Sequence, residues 1–239
     1  MNWSLLPTIS APMPLQMALD ELLFKSQKRE SLAPVLRFYI SSTPWISAGC
    51  SFRNSVAFSK SALIMKNPKV PVCRRVTGGG CVLHGKDLIF SLLIRTQLDP
   101  EGLGVTRASY AKIHQSVKQG LELCGLDPKF YREDEIESKG NDCFDYPVES
   151  DLSWKGKKIA GGAQKRSEGV LLHHESIVIP PGVGREALIS GLRQAMEQVF
   201  GVSIQNSMMD PAAYFQADQL QQITIEGSSW KDQPVSLKK

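Results

Sequence analysis

The stretch from Cys73 to Ile94, CRRVTGGGCVLHGKDLIFSLLI, constrains this chain most. Three consecutive glycines, Gly78, Gly79 and Gly80, permit backbone conformations closed to other residues and let a bound group come close to the main chain. They read as a turn between a strand ending at Arg74 and a return strand. Arg74 and Arg75 beside exposed backbone N–H groups suit an anion such as phosphate or carboxylate. His84 follows, and the apolar run 88–94 then leaves for a core. A hairpin with incidental arginines is the bland alternative; Arg-Arg, Gly-Gly-Gly and His in one short stretch tip the reading towards a site.

Around this stretch the chain combines several strands with amphipathic helices. Apolar residues Leu15, Ala18, Leu19, Leu22 and Leu23 recur at helical spacing over residues 14–28, with Asp20 and Glu21 expected on the solvated side. Residues 35–41 (VLRFYIS) read as a strand, and 44–49 as a turn into a second strand followed by SFRN at 51–54. A short helix over 59–66 leads to a strand at 70–74, and the glycine turn leads to a strand at 87–94. Residues 105–126 form the clearest amphipathic helix, with Gly125 as its cap and His114 as a surface or packing residue. A polar, exposed loop over 131–142 precedes a hairpin, with strands at 151–154 and 158–166. Gly161 and Gly162 interrupt the second of these, which suggests close backbone approach to a ligand. A strand at 170–179, a helix at 185–200 and a last helix at 212–222 complete the chain. Strands and helices do not strictly alternate, so the expected class is α+β, and no linker divides the 239 residues into two domains.

Hydrophobic residues make up 42% and charged residues 22%, enough apolar sequence to bury a core. A net charge of +4 does not argue for nucleic acid and is compatible with an anionic ligand or an acidic protein partner. The cysteines Cys50, Cys73, Cys81, Cys124 and Cys143 are odd in number and lack paired short spacings, so neither a disulfide framework nor a zinc-finger pattern is expected. The N-terminus lacks a basic segment followed by an apolar core, and no apolar run approaches the roughly 20 residues that span a bilayer. A cytoplasmic, reduced protein is the expectation.

Four further places could carry chemistry. Lys158, in GKKIAGG, can hold an anionic or carbonyl oxygen with its three donors, against the alternative of one more lysine in a basic hairpin. Cys143 stands in polar, loop-like sequence and would be a nucleophile if a base or cation lowered its pKa; the other cysteines lie in apolar surroundings and read as inert. His84, and the pair His173 and His174, come from separate strands and could converge as base, orienter or metal ligands. No metal-ligand spacing supports the last of these, and no metal is expected.

RRVTGGGCVLH (Arg74 to His84) resembles the signature of the lipoate–protein ligase and octanoyltransferase superfamily, which also includes the biotin protein ligases. GKKIAGGAQKR (Gly156 to Arg166) resembles its lysine motif, and LLHHESIVI (Leu171 to Ile179) its third. MALDE at 17–21 and LRFYISSTPWISAG at 36–49 fit its first helix and strands. The resemblance implies a mixed, mostly antiparallel sheet flanked by helices, of the biotin/lipoyl protein ligase catalytic type, as a single domain over 1–239 without a C-terminal accessory domain. It implies a medium-chain acyl substrate, octanoyl or lipoyl, with Gly78, Gly79 and Gly80 lining the acyl tunnel and Lys158 on the acyl carbonyl. Arg74, Arg75, His84, Gly161, Ala163, His173 and His174 would complete the substrate site. Cys143, Phe144 and Pro147 match a Cys-Phe-x-x-Pro element of one octanoyltransferase branch, which makes Cys143 the favoured nucleophile.

The implied reaction is transfer of an octanoyl or lipoyl group, through a Cys143 thioester, to the lysine of a lipoyl-domain or glycine-cleavage H-type protein, with an acyl carrier protein as donor. No permanently bound cofactor is implied, nor nucleic acid or membrane as partner, and a monomer is compatible. An ATP-dependent lipoate–protein ligase, using ATP and Mg, is the alternative. A non-catalytic binder of acylated carriers is the second, and biotin ligation is weaker because the cysteine element has no role there. The chain departs from the family at Gly85, where an aspartate is common after the histidine, and at Glu175, where glycine usually follows His174.

Overall fold

The computed structural model describes residues 1–29, 32–50, 61–131 and 150–225. Residues 51–54, the start of the helix expected at 59–66, the loop expected at 131–142 and Cys143 with Phe144 and Pro147 therefore lie outside the described residues, apart from residue 131. Strand β1 (Asn2–Ala11) leads to helix α1 (Met13–Arg29), β2 (Val35–Ser41), β3 (Trp45–Ala48) and the short α2 (Ala62–Lys66). Then come β4 (Val72–Arg74), β5 (Cys81–His84), β6 (Asp87–Arg95), a single 3-10 turn, α3 (Pro100–Leu103) and α4 (Thr106–Leu123). The chain continues through β7 (Lys129–Phe130), β8 (Leu152–Trp154), β9 (Lys157–Ser167), β10 (Val170–Val178), α5 (Arg185–Phe200), β11 (Ser203–Asn206) and α6 (Pro211–Ile225).

The main sheet has the order β11-β1-β2-β6-β10-β9-β8-β7, and a smaller one has the order β4-β3-β5. Within the main sheet, β11, β1 and β2 run parallel and every later pairing is antiparallel, the mixed, mostly antiparallel α+β arrangement expected. Strands β1 and β11 escape a reading by pattern. Pro7 stands in β1 where the pairing with β2 shifts register between Leu6 and Ile9, the kind of irregularity that admits proline. β11 is four residues long with Ile204 its buried side chain.

The glycine turn also differs from the expected hairpin. β4 and β5 do not pair with each other; β3 lies between them, parallel to β4 and antiparallel to β5. The turn therefore crosses the end of β3. Gly49, just past β3, is packed so tightly under it that a Cβ there would lie 2.0 Å from the Gly79 carbonyl oxygen.

Side chains alternate across the main sheet and so separate two layers. On one face Leu36, Phe38, Phe90, Leu92 and Leu171 meet Ile113, Val117 and Leu121 of α4 and Leu188, Leu192 and Met196 of α5. On the other, Val35, Leu93 and Leu172 meet Phe24 of α1, and Tyr39 and Ile89 meet Met13 and Met17 of α1 and Cys73 of the small sheet. Helices α4 and α5 cross at glycines. A Cβ on Gly120 would lie 2.9 Å from the Leu192 Cα, and one on Gly191 would lie 2.8 Å from the Gly120 carbonyl oxygen.

The α1 face is also crossed by polar residues. Register aligns Arg37, Ser91, His174 and Ala163 as one rung across β2, β6, β10 and β9. Asp20 of α1 lands on this rung, fully buried, and does not lie on the solvated side expected for it. Its carboxylate pairs with the Arg37 guanidinium and accepts from Ser91 Oγ at 2.6 Å and Tyr39 Oη at 3.0 Å. The His174 Nε2 stands 3.1 Å away. Gln16, one turn earlier, accepts from Arg37 Nη2 at 2.6 Å. Glu21 does face outward, paired with Lys25 at 2.7 Å. Burial opposes ionisation of Asp20, but Arg37, then His174 and Ser91, outweigh it and hold the carboxyl at about 2, below its ordinary 3.8.

Two stability measurements check this packing. Asp20→Asn breaks a buried pair and should lower the unfolding free energy at neutral pH by about 3–5 kcal/mol. Because the native pKa is depressed, the Asp20 contribution is complete above the unfolded value and is lost as pH falls from 3.8 through about 2. The gap between wild type and variant in urea unfolding should therefore narrow over that interval. Gly120→Ala gains about 1 kcal/mol of helix propensity but forces α4 from the Leu192 backbone at a cost of about 1–3 kcal/mol. The expected result is a lower urea midpoint with an unchanged slope.

Candidate functional site

Strand β9 carries the lysine motif, and an irregularity aims it. The β8–β9 register changes by one residue between Leu152↔Ala160 and Ser153↔Lys158, so Ile159 is the extra residue of a bulge. Without the bulge Lys158 would share a face with Gly162; with it, the side chain lies over Gly161. A Cβ on Gly161 would come within 2.5 Å of Lys158 Cε and 2.7 Å of its Nζ. The ammonium is held by Asp151 at 2.5 Å, with both side chains nearly sealed. The two glycines thus make room for the protein's own side chains, where the sequence suggested a ligand against the backbone.

The glycine turn lies on the same face of the sheet as Lys158. Thr77 Oγ1 is 3.0 Å from His174 Nδ1, and the Gly78 N–H donates to the Gln164 carbonyl of β9 at 3.4 Å. His174 pairs in register with Ala163, one position from Gly162, so Lys158, Gly161, Ala163, His174 and the turn share one side of the sheet. Gly79 has φ +87°, a left-handed conformation that favours glycine. A Cβ on Gly78 would meet nothing within 4 Å.

The two arginines diverge. Arg74 is half-buried in β4, paired in register with Ala48. Arg75 is buried, and its guanidinium donates to the Ser47 carbonyl at 3.0 Å, to Ser47 Oγ at 3.1 Å and to the Gly78 carbonyl at 2.8 Å. It clamps the turn to β3, an employment different from the anion contact expected of it.

From Ser47 the hydrogen bonds continue to His84 Nε2 at 2.8 Å, and from His84 Nδ1 to Asp87 Oδ2 at 2.7 Å. The Asp87 carboxylate can only accept when ionised, so His84 donates to it from Nδ1. The order Ser–His–Asp is that of a hydrolase triad, but Ser47 is 1% exposed and its oxygen is engaged by Arg75, so the relay braces the turn. Asp87 also answers the departure at Gly85. Gly85 has φ +129°, strained for any L side chain, and its N–H donates to Asp87 Oδ1 at 3.1 Å. The acid for His84 arrives three residues on, where Ser176 Oγ also reaches it at 2.6 Å.

The opposite face of β9 and β10 holds a third polar group, which the sequence dispersed. His173 faces away from His174, and Glu175 lies beside it. Glu175 Oε2 is 2.8 Å from His173 Nε2 and 3.0 Å from Nε2 of His114, which is buried on α4 and is neither a surface nor a plain packing residue. A Cβ on Gly162 would come 2.4 Å from His173 Cε1 and 2.6 Å from Glu175 Oε2.

Hydrogen-bond polarity settles the protons in this group. The Ser150 carbonyl can only accept, so His114 Nδ1 donates to it across 2.6 Å, and Nε2 needs its own proton to face a carboxylate. His114 is therefore an imidazolium; burial disfavours this, and Glu175 outweighs burial and raises its pKa. His173 is neutral. Arg166 Nη2 donates to Gln164 Oε1 at 3.1 Å, which turns the Gln164 amide nitrogen to His173 Nδ1 at 3.2 Å and leaves the proton on Nε2. Burial is the first cause of a lowered pKa at His173, and the His114 charge adds to it. Glu175 is held at about 2 against burial by His114 and then His173. Among the described residues these three groups bring their ligand atoms within 4.8 Å of one another. With both Nε2 atoms protonated, the set forms a buried ion pair.

The glycines separate sterically, which a pair of substitutions tests. Gly162→Ala should destabilise the fold by about 1–3 kcal/mol, because the buried imidazole and carboxylate have nowhere to go. Gly78→Ala should change stability by less than about 0.5 kcal/mol. Thermal unfolding of both variants measures the contrast.

Comparison with known proteins places this geometry. The profile of the lipoyl protein ligase A/B catalytic domain matches residues 12–201. Octanoyltransferase LipM of Oceanobacillus iheyensis is 30% identical over 182 residues, covering 76% of this chain and 66% of that protein, so the match spans about two thirds of the relative's length. Among solved structures, protein Ta0514 of T. acidophilum, a candidate lipoate protein ligase with bound lipoic acid, superposes with a TM-score of 0.76 at 19% identity over 96% of this chain and 98% of that one. A bi-partite lipoate protein ligase from Thermoplasma acidophilum, described with its E2 lipoyl domain, gives 0.72 at 19% identity over 98% of each chain. No helix among the described residues is long and apolar enough to cross a membrane. With the glycine turn, the bulged lysine strand and the histidine strand assembled on one sheet, and the profile running through all three, the chain belongs to the lipoyl protein ligase A/B catalytic domain family.

Proposed function

We propose that this protein transfers an octanoyl group from an acyl carrier to the lysine of a lipoyl-domain protein. The observation that carries the reading is the position of Lys158, which the bulge turns to the face of β9 shared with the glycine turn. Its ammonium has three donors, so one can stay on Asp151 while another meets an acyl carbonyl. The resemblance of Cys143, Phe144 and Pro147 to the cysteine element of octanoyltransferases supports a covalent route, as does the likeness to octanoyltransferase LipM.

In this route the Cys143 thiolate attacks the carbonyl of the carrier thioester, the carbonyl–sulfur bond of the carrier breaks, and the carrier leaves as its thiolate. The acceptor lysine, as free amine, then attacks the Cys143 thioester; the carbonyl–sulfur bond breaks, an amide forms, the Cys143 thiolate returns, and the proton lost by the amine passes through solvent to the carrier thiolate. Lys158 stabilises the oxyanion of both tetrahedral intermediates. The glycine turn, braced by Arg75 and Thr77, forms a wall of the acyl site, with Arg74, Gly161, Ala163, His84 and His174 around it. His173 belongs to the supporting side of β10. No permanently bound cofactor enters this route.

Intact-mass spectrometry after incubation with octanoyl-carrier protein should show one octanoyl adduct on the wild type and none on Cys143→Ala. Transfer to a lipoyl domain should vanish in that variant. Lys158→Ala should keep its fold and lose about 10²–10³-fold in kcat. Transfer that survives in Cys143→Ala and requires lipoate with ATP, releasing pyrophosphate, would instead establish an ATP-dependent ligase.

A further inference from the structure

Ser150 is a non-glycine residue at φ +74°, a left-handed conformation that costs an L-residue about 1–2 kcal/mol, so something must hold it. Its carbonyl is gripped by His114 at 2.6 Å, and the next residue, Asp151, holds Lys158. His114 lies on the α4 face of the sheet and Lys158 on the opposite face. The backbone at Ser150 and Asp151 joins the two across the sheet.

We propose that His114 and Glu175 are positioning residues for Lys158: Glu175 orients the His114 ring, His114 fixes the Ser150 carbonyl, and Ser150 thereby presents Asp151 to the Lys158 ammonium. This rests on the reading of Lys158 as the carbonyl-binding group. Glu175 is suited to the task because it is sealed at 1% exposure, receives both histidines on one oxygen and leaves the other, Oε1, without a hydrogen-bond partner among the described residues. A carboxylate so placed would be unstable without the His114 charge, so the two define one geometry. The departure from the family's usual glycine at position 175 thus has a purpose on the side of β10 away from the acyl site.

The groups facing His114 come from three elements. Glu175 and His173 lie on β10, Tyr110 one turn earlier on α4 packs edge-on at 5.7 Å, and Asp151 adds its charge from the edge. Glu175 and Asp151 favour the imidazolium. Removing the Glu175 charge lets His114 lose its Nε2 proton at lower pH, while Nδ1 keeps its proton on the Ser150 carbonyl.

The test uses Glu175→Gln alone, then with His114→Asn and with His114→Leu, so that no buried carboxylate is left unpaired. Asparagine keeps a donor near the position of Nδ1, and leucine removes it. Hydrogen exchange over residues 150–158 should rise in the leucine variant and return towards wild type in the asparagine variant. In parallel, kcat for octanoyl transfer should fall at least about tenfold with leucine, with the acyl-donor KM within about twofold, and recover with asparagine. Glu175→Gln alone should raise exchange over residues 150–158 by less than the leucine variant does, because His114 keeps its Nδ1 donor. Exchange and kcat that are the same in the leucine and asparagine variants would overturn the proposal. If wild type transfers no acyl group, the functional reading fails while hydrogen exchange still decides whether His114 holds this edge.

Discussion

The fold turns on the buried ion pair of Asp20 and Arg37. A helix and a sheet can be pressed together by apolar residues in several registers, because leucine and valine do not care which neighbour they touch. A guanidinium and a carboxylate without water do care. Removing both from solvent costs several kcal/mol each, and the cost is offset only when contacts are complete. Here Ser91 and Tyr39 bond to the carboxylate and Gln16 to the guanidinium, with His174 Nε2 3.1 Å from Asp20, and among the described residues Arg37 Nε is the guanidinium nitrogen left without a partner. Shifting β2 by one residue would send Arg37 to the α4 face, among Phe38 and Phe90. The rung Arg37–Ser91–His174–Ala163 therefore sets the mutual register of α1, β2, β6, β10 and β9.

The same rung reaches the glycine turn. The His174 Nε2 stands 3.1 Å from the Asp20 carboxylate, and its Nδ1 lies 3.0 Å from the Thr77 hydroxyl oxygen. A second chain of hydrogen bonds runs from Arg75 through Ser47 and His84 to Asp87. Each chain begins at the turn and ends on a buried carboxylate. In the second chain the Arg75 guanidinium can only donate and the ionised Asp87 carboxylate can only accept, which fixes both ends. A loop of three glycines has little of its own to keep it in one conformation. Its rigidity is imported from two aspartates beneath it.

The apolar architecture was legible in the sequence because it is periodic. Residues 35–41, 87–94 and 185–200 stand as elements with little change, and the three motifs of the family name the strands that carry them. Buried polarity was not legible. Asp20 beside Glu21 and Lys25 has the look of a solvated helix face, and nothing local says that Arg37, a strand away, waits for it. His114 follows the same logic, since its partners Ser150 and Glu175 are brought to it by the fold. Gly49 carried no signal because the atom it must avoid, the Gly79 carbonyl, belongs to a distant turn. The bulge at Ile159 is equally silent: one extra residue in β9 changes the face of Lys158 without altering composition or pattern. The departures at Gly85 and Glu175 were visible as departures, but their partners, Asp87 and His114, were not.

The two glycines of the lysine strand show how the halves of the site are coupled. Gly161 leaves space on one face for the Lys158 side chain, and Gly162 leaves space on the other for His173 and Glu175. Adjacent residues of a strand point to opposite faces, so a single two-residue step clears room for the Lys158 ammonium and for the buried ion pair behind it. A side chain at either position would push the strand towards the other face. The spacing between the glycine turn and the lysine is then limited by both layers at once: from the front through Thr77, His174 and the Gly78 N–H on Gln164, and from behind through His114, Glu175 and the same Gln164, whose side-chain amide is bonded to His173. Gln164 thus gives its carbonyl to the turn and its side chain to the ion pair, which makes β9 the member through which a change on either face must pass.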